Sequence, residues 1–388
     1  MENKNCLSKS KSHTFFTVFV IPLLLLSFLF TFQNIYAQEQ QLENVDEIIE
    51  QDEYLEGVII EILEEKDIEF GEQTQKYQKL KIEITKGSLK GEEIVIENGD
   101  SPMSQVILYS KGDTVLISHS FSNDENDVFF ITDFIRTKGI VILFILFILL
   151  SVTIATKKGF FSLISMMITF VILFSFVLPQ IQSGKNPVVI AILASIVIIP
   201  ITFYLSHGFE QKTSIAILGT SIALVITGML SSIFVNLTHL TGTSSEESLF
   251  LQTSGGLQYN LKGLLLAGII IGTLGVIDDI TISQTAIVYQ LYSLKNDISF
   301  SQLFKKSIEI GKDHIASMIN TLILVYTGAS LPLLLLFMSS TRPFGEILSY
   351  EVVTTEIVRT LVGSIGLILA VPITTYLACH FVKKTRNY

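Results

Sequence analysis

Two adjacent carboxylates, Asp278 and Asp279, end one of the most apolar stretches of the chain, Gly263-Leu-Leu-Leu-Ala-Gly-Ile-Ile-Ile-Gly-Thr-Leu-Gly-Val-Ile-Asp-Asp-Ile-Thr-Ile-Ser-Gln284. In hydrocarbon an ionised carboxylate costs several kcal/mol unless it meets a partner, a proton or water. Thr281, Ser283 and Gln284 follow within two turns. With the two acids they form a set of hard oxygen donors that suits a proton, Na+ or a divalent cation.

Helical spacing orders this set. Gly268, Gly272, Gly275, Asp279 and Ser283 recur at intervals of four, three, four and four, so they share one face of a helix. Glycines on that face invite a second backbone, as in GxxxG packing. Asp279 is therefore expected to point into a helix–helix seam. Asp278 is turned from it by about 100°. A helix from Gly263 to Tyr292 would run about 45 Å, against about 30 Å of hydrocarbon. Unwinding near Asp278–Ser283 is expected, bringing both acids and free carbonyls to one place. The competing structural reading has the acids cap a helical segment starting near Thr281, or pair with Lys295 or Lys312. Asn320 is a candidate polar partner across the seam, or simply a packing amide.

The elements that position these groups follow from composition. The chain has 388 residues, 49% of them hydrophobic and 16% charged. Charge is far below the quarter usual in soluble proteins, and long apolar runs indicate several membrane spans. The net charge of −10 comes largely from acids between Gln38 and Asp133. Cys6 and Cys379 have no disulfide or metal-ligand spacing. Trp is absent, so interfacial anchoring falls to Tyr, Lys and Arg.

Lys4, Lys9 and Lys11 precede an apolar run from about Phe15 to Phe32, then Ile35-Tyr-Ala37 and a polar stretch. Residues 1–37 thus read as a signal peptide or signal anchor. Residues 38–135 form a different region. Gly57-Val-Ile-Ile-Glu-Ile-Leu, Gln78-Lys-Leu-Lys-Ile-Glu-Ile-Thr, Glu93-Ile-Val-Ile-Glu and Asp113-Thr-Val-Leu-Ile-Ser alternate with period two. Bounded by the turn signals Glu97-Asn-Gly-Asp and Ser110-Lys-Gly-Asp, they predict about five strands in a small all-β, barrel or OB-like domain.

Residues 136–388 are expected to be an α-helical polytopic bundle. About seven runs can span: 139–155, 160–178, 187–205, 214–235, 263–280, 316–338 and 356–382. With the β region outside, ten Lys/Arg at helix ends fall inside and six outside, the direction of the positive-inside rule. The C-terminus is then cytoplasmic. Ser245-Glu-Glu-Ser-Leu-Phe-Leu is expected to be a short surface helix, and Ile298–Ile310 an amphipathic helix along the inner interface.

Gly272-Thr-Leu-Gly275-Val-Ile-Asp278-Asp279-Ile-Thr-Ile-Ser283-Gln284, with a β-rich region before about seven spans, resembles the YibE/F family of bacterial multi-span membrane proteins. The likeness covers most of residues 50–380. It implies a protein of the bacterial cell membrane with Asp278 or Asp279 at the family's acidic position, and it implies no activity.

No phosphate-cradling loop, His-Glu-x-x-His or Gly-x-Ser-x-Gly is present. An aspartyl protease needs acids on two segments, whereas these are neighbours. The sequence therefore points away from an enzyme and from any cofactor, and nothing in it suggests nucleic acid. The leading expectation is a permease or channel-like protein with an intramembrane cation or proton site and a small solute or cation as cargo. The alternative is a non-transporting scaffold or accessory subunit whose β domain meets a cell-envelope partner.

Overall fold

The computed structural model describes residues 53–70, 73–102, 106–120, 128–253, 259–295 and 297–384. The signal or anchor expected at 1–37 lies outside them. The chain divides into two compact units between Leu149 and Leu150.

The first unit holds five strands: β1 (Glu53–Phe70), β2 (Gln73–Lys86), β3 (Glu93–Asn98), β4 (Thr114–Ser120) and β5 (Val128–Phe134). They form one antiparallel sheet in the order β3-β2-β1-β4-β5. The expected alternation is realised. Leu55 and Ile59 of β1, Leu80, Ile82 and Ile84 of β2, and Val115 and Ile117 of β4 are all buried in one cluster. Gly99 and Gly112 of the two turn signals take positive φ (85° and 94°), which a side chain resists. The edge strands β3 and β5 approach each other without forming a ladder. Past Ile62 the side chains of β1 are mostly exposed, while Tyr77 and Gln78 of the paired β2 are still buried; the ribbon carries the ion pairs Lys66–Glu64 and Lys76–Asp67. At the other end of β1, the amide and hydroxyl of Ser88 donate to Glu53 and hold its carboxyl below the usual range. Ile82 is fully buried at the centre of this sheet. Ile82→Ala is expected to cost about 2–5 kcal/mol, read as lost hydrogen-exchange protection of β1 and β2 amides in the full-length protein.

The helices are α1 (Thr137–Ile172), which passes through a π-helical turn (Leu173–Val177) into α2 (Leu178–Gln182), then α3 (Pro187–His207), α4 (Gln211–Leu237), α5 (Glu246–Thr253), α6 (Leu261–Leu294), α7 (Phe300–Ala329), α8 (Leu331–Met338), α9 (Phe344–Ile347) and α10 (Glu351–Lys384). Local chemistry starts several of them. Asn186 caps α3 through the Val188 amide, with Pro187 in the first turn; Asn260 caps α6 and Ser299 caps α7. Among the described residues five helical stretches are long and apolar enough to cross a membrane: Thr137–Gln182, α3, α4, α6 and α10. The count becomes six if α7 and α8, bent by 67°, are taken as one.

Breaks fall where backbone chemistry permits them. Thr156 has φ 54° and ψ −132°, and a Cβ on Gly159 would collide with the carbonyl oxygen of Ser151. Eight residues of straight helix would separate these groups by about 12 Å, so the chain turns sharply between the two runs predicted at 139–155 and 160–178. The second break, between α7 and α8, precedes Pro332, whose ring has no N–H and crowds the carbonyl four residues back. The interfacial helix expected at Ile298–Ile310 is not separate. It continues unbroken into α7, because Leu303, Ser307 and Gly311, four apart, are buried together. The surface helix expected near Ser245 forms as α5.

Within the second unit, α4, α6 and α10 pack mutually, α3 lies on α4 and α6, and α7 lies on α6 and α10.

Candidate functional site

The aspartate helix does not unwind. α6 is continuous over 34 residues, about 51 Å at 1.5 Å per residue. No Gly or Pro occurs between Val276 and Leu294. The hydroxyl of Thr281, expected to face an ion, turns back onto the helix and donates to Asp278 O (3.0 Å). Thr285 Oγ1 does the same one turn on, donating to Ile282 O (2.8 Å). The excess length is supported by packing instead. Val288, Tyr289, Leu291 and Tyr292 join Ile215, Leu303 and Cys379 in a core cluster below the acids.

An intact helix keeps the two carboxylates apart, and their burial is the reverse of that expected. Asp278 is half-buried, and its Oδ1 is fully buried with no hydrogen-bond partner among the described residues. Leu274 and Ile282, one turn to either side of it, pack with Ile198, Ile199 and Phe203 of α3. Thr281 lies 2.7 Å from Thr220 Oγ1 of α4. Since Thr281 donates its one proton to Asp278 O, Thr220 donates to Thr281. Asp278 therefore belongs to the α3–α4 side of α6, about 24 Å along the helix from Lys262.

Asp279 is exposed. Gly268, Gly272 and Gly275 share its exposed face. No described atom lies within 4 Å of a Cβ placed on Gly268 or Gly275, and only Tyr326 Oη, at 3.9 Å, approaches Gly272. Among the described residues no helix packs closely on this glycine stripe; Ile269, Ile270, Ile277 and Ile280 on the other faces are the buried ones. Ser283, one turn beyond Asp279, is half-buried. Neither acid forms an ion pair among the described residues, and neither caps a new helix at Thr281. His207 at the end of α3 lies within electrostatic reach of Asp279, Lys158 and Lys212.

Gln284 is fully buried. Its Nε2 donates to Ser307 O of α7 (2.9 Å) and Thr375 Oγ1 of α10 (2.7 Å). Gly311 makes room for it: a Cβ there would sit 2.9 Å from Gln284 Oε1 and 2.8 Å from Val371. Asn320 is exposed and makes no bond to α6 among the described residues; Met318, Ile319, Leu322 and Tyr326 supply the α7 packing face instead. The structure thus joins Asp278, Thr281 and Thr220 on one side of α6, and Gln284, Ser307 and Thr375 on another. Asp279, Ser283 and Asn320 join neither group. Among the described residues no three His, Cys, Asp or Glu converge as a metal site.

The close helix approach lies elsewhere. A Cβ on Gly219 of α4 would collide with Thr374 Oγ1 of α10, and one on Gly366 of α10 with Thr227 Oγ1 of α4. The signal was in the sequence, as Gly219-Ala223-Thr227-Ser231 and Gly366-Ala370-Thr374-Ala378, each spaced by four.

These features define a membrane-embedded protein with several apolar helices and a small antiparallel sheet at its N-terminal end. Residues 143–384, well over half of the chain, match the family model of the YibE/F-like protein. The chain belongs to the YibE/F-like family. No curated protein and no solved structure matches it.

Proposed function

We propose that this chain is a permease or channel-like protein of the bacterial cell membrane that binds a proton or cation at Asp278. The carrying observation is Asp278 Oδ1, buried between α6 and its neighbours without a donor among the described residues. A carboxylate oxygen in that setting is costly unless a positive charge meets it. The Thr220–Thr281 hydroxyl pair fixes the adjoining backbone. Gln284 ties α6 to α7 and α10, so movement of any of these helices is felt at the acid's helix.

In this reading the sharp turn at Thr156 separates two spans, and α7 with α8 supplies another, giving seven. An outward β region then leaves the C-terminus cytoplasmic, in keeping with the Lys/Arg excess at the inner helix ends. The approach of β3 to β5 supports an OB-like barrel closed by side chains rather than by a ladder.

Proteoliposomes containing the full chain are expected to show flux that depends on pH or on a cation gradient. Asp278→Asn should lower it at least tenfold, and Asp279→Asn should leave it within about threefold. Unchanged flux in Asp278→Asn would reject the site. If the β region on an unrelated single span replaced the whole protein in cells, the display reading would stand instead.

A further inference from the structure

We infer that the outer face of the sheet formed by β1, β4 and β5 is a binding site for a neutral glycan, with Tyr54 and Phe130 as its two ring-stacking walls. This goes beyond the transport reading and does not depend on Asp278; it does rest on the β region facing outward.

The site follows from strand register. Tyr54 of β1 is paired with Ser118 of β4, and Ser118 with Phe130 of β5. Residues directly opposite each other project from the same face. Their chain neighbours Leu55, Ile117 and His119 are buried, so this row projects away from the core. Tyr54 is 61% and Phe130 60% exposed, unusual for two large aromatic side chains on one small sheet. Three strands at about 4.8 Å spacing put the two Cα atoms about 10 Å apart. A serine between them leaves a slot floored by a hydroxyl. Its width suits one ring held between two aromatic faces.

The next row on the same face selects the ligand. It consists of Glu56, Leu116 and Asp133, the last brought to this face by the irregularity in the β4–β5 register between Leu116 and Ile117, with Ile131 and Phe134 on either side packed on the core. Glu56 is paired with Lys86 (2.9 Å) and Asp133 with Arg136 (2.7 Å). Donors and acceptors therefore alternate beside the slot with their charges already neutralised. A polyhydroxylated ring can use both kinds of group, donating to the carboxylates and accepting from the cations. The wider field excludes anionic ligands: between Glu53 and Arg136 the chain has 18 Asp and Glu against 8 Lys and Arg. Nucleic acid and phosphate-rich polymers would be repelled.

The chain has no Trp, which makes Phe130→Trp a unique fluorescent reporter in the full-length protein in nanodiscs. Maltotetraose, cellotetraose and the N-acetylglucosamine tetramer are the probes. At least one is expected to shift the emission of the Phe130→Trp protein saturably. The same probe, followed by calorimetry on the protein without the reporter, should bind at least tenfold more weakly to Tyr54→Ala/Phe130→Ala. Ser118→Tyr, which fills the slot while keeping both walls, should also abolish binding. All three positions are outside the core, so unchanged thermal unfolding will show that the variants fold. The inference is overturned if none of the probes binds, or if the double variant binds as tightly. It is overturned equally if spin-labelled lipid quenches the reporter with or without sugar, since the face then rests on the bilayer. Flux through the spans would be unaffected by any of these results.

Discussion

Gly219→Ala is expected to destabilise the bundle by about 1–3 kcal/mol, although alanine is intrinsically the better helix residue. The new methyl group would meet Thr374 Oγ1 of α10 at less than contact distance. Neither partner can yield cheaply: Thr374 is fully buried, and so is Ala216 beside it on α4. Thr374→Ala should return part of the loss, because its hydroxyl has no hydrogen-bond partner among the described residues to forfeit. The coupling between the two changes is expected at about 0.5–3 kcal/mol. Gly275→Ala supplies the contrast. It meets no described atom, so only helix propensity acts and the change should be neutral or stabilise by up to about 1 kcal/mol. Reversible unfolding in mixed detergent micelles measures each variant against the unaltered protein. Equal effects at Gly219 and Gly275 would show that α4 and α10 do not approach as described.

That contrast also explains why the sequence was only partly legible. A helix in water advertises its buried face by periodicity, because hydrophobic burial selects it. α6 is apolar nearly all round, so its pattern leaves several faces equivalent, and the glycine stripe is the most visible one. Lipid removes the force that would have made the pattern decisive; close packing by small residues takes over. Thr227 and Thr374 serve that packing while looking like ordinary polar residues. The β region is readable for the opposite reason. Its sheet has one wet face, and the alternation of Lys79, Leu80, Lys81, Ile82, Glu83 and Ile84 states directly which side is inside. The acids are readable as a feature but not as a geometry. Whether Asp278 or Asp279 lies inside depends on a rotation of about 100°, which only the side chains that α3 and α4 present to α6 decide. Gln284 reads in the sequence as a donor to an ion. Its real partners, Ser307 and Thr375, lie 23 and 91 residues away, and no local pattern reports contacts at such separation.

Gln284→Ala is expected to cost about 2–4 kcal/mol, through a cavity and the loss of two buried hydrogen bonds. Its effect on flux should be larger than its effect on folding, if helix coupling is its role. The amide Nε2 holds α6 to α7 at Ser307 O and to α10 at Thr375 Oγ1, and Thr375 in turn donates to Val371 O. Thr375 thus accepts from Gln284 and has no second proton to offer. Leu in place of Gln284 would fill the space while breaking both links, so Gln284→Leu separates volume from bonding. Gln284→Glu is more diagnostic still. A carboxylate would set an oxygen against the Ser307 carbonyl, and only a protonated carboxyl could restore one of the two bonds. Stability of Gln284→Glu should therefore fall as pH rises from about 5 to 8 relative to the unaltered protein, while Gln284→Leu follows the unaltered protein's profile over that range. Thermal unfolding of the two variants across this range, beside the unaltered protein, measures the difference. A profile for Gln284→Glu that matches that of Gln284→Leu would mean that the amide does not face the Ser307 carbonyl, and the coupling of α6 to α7 through this side chain would fall with it.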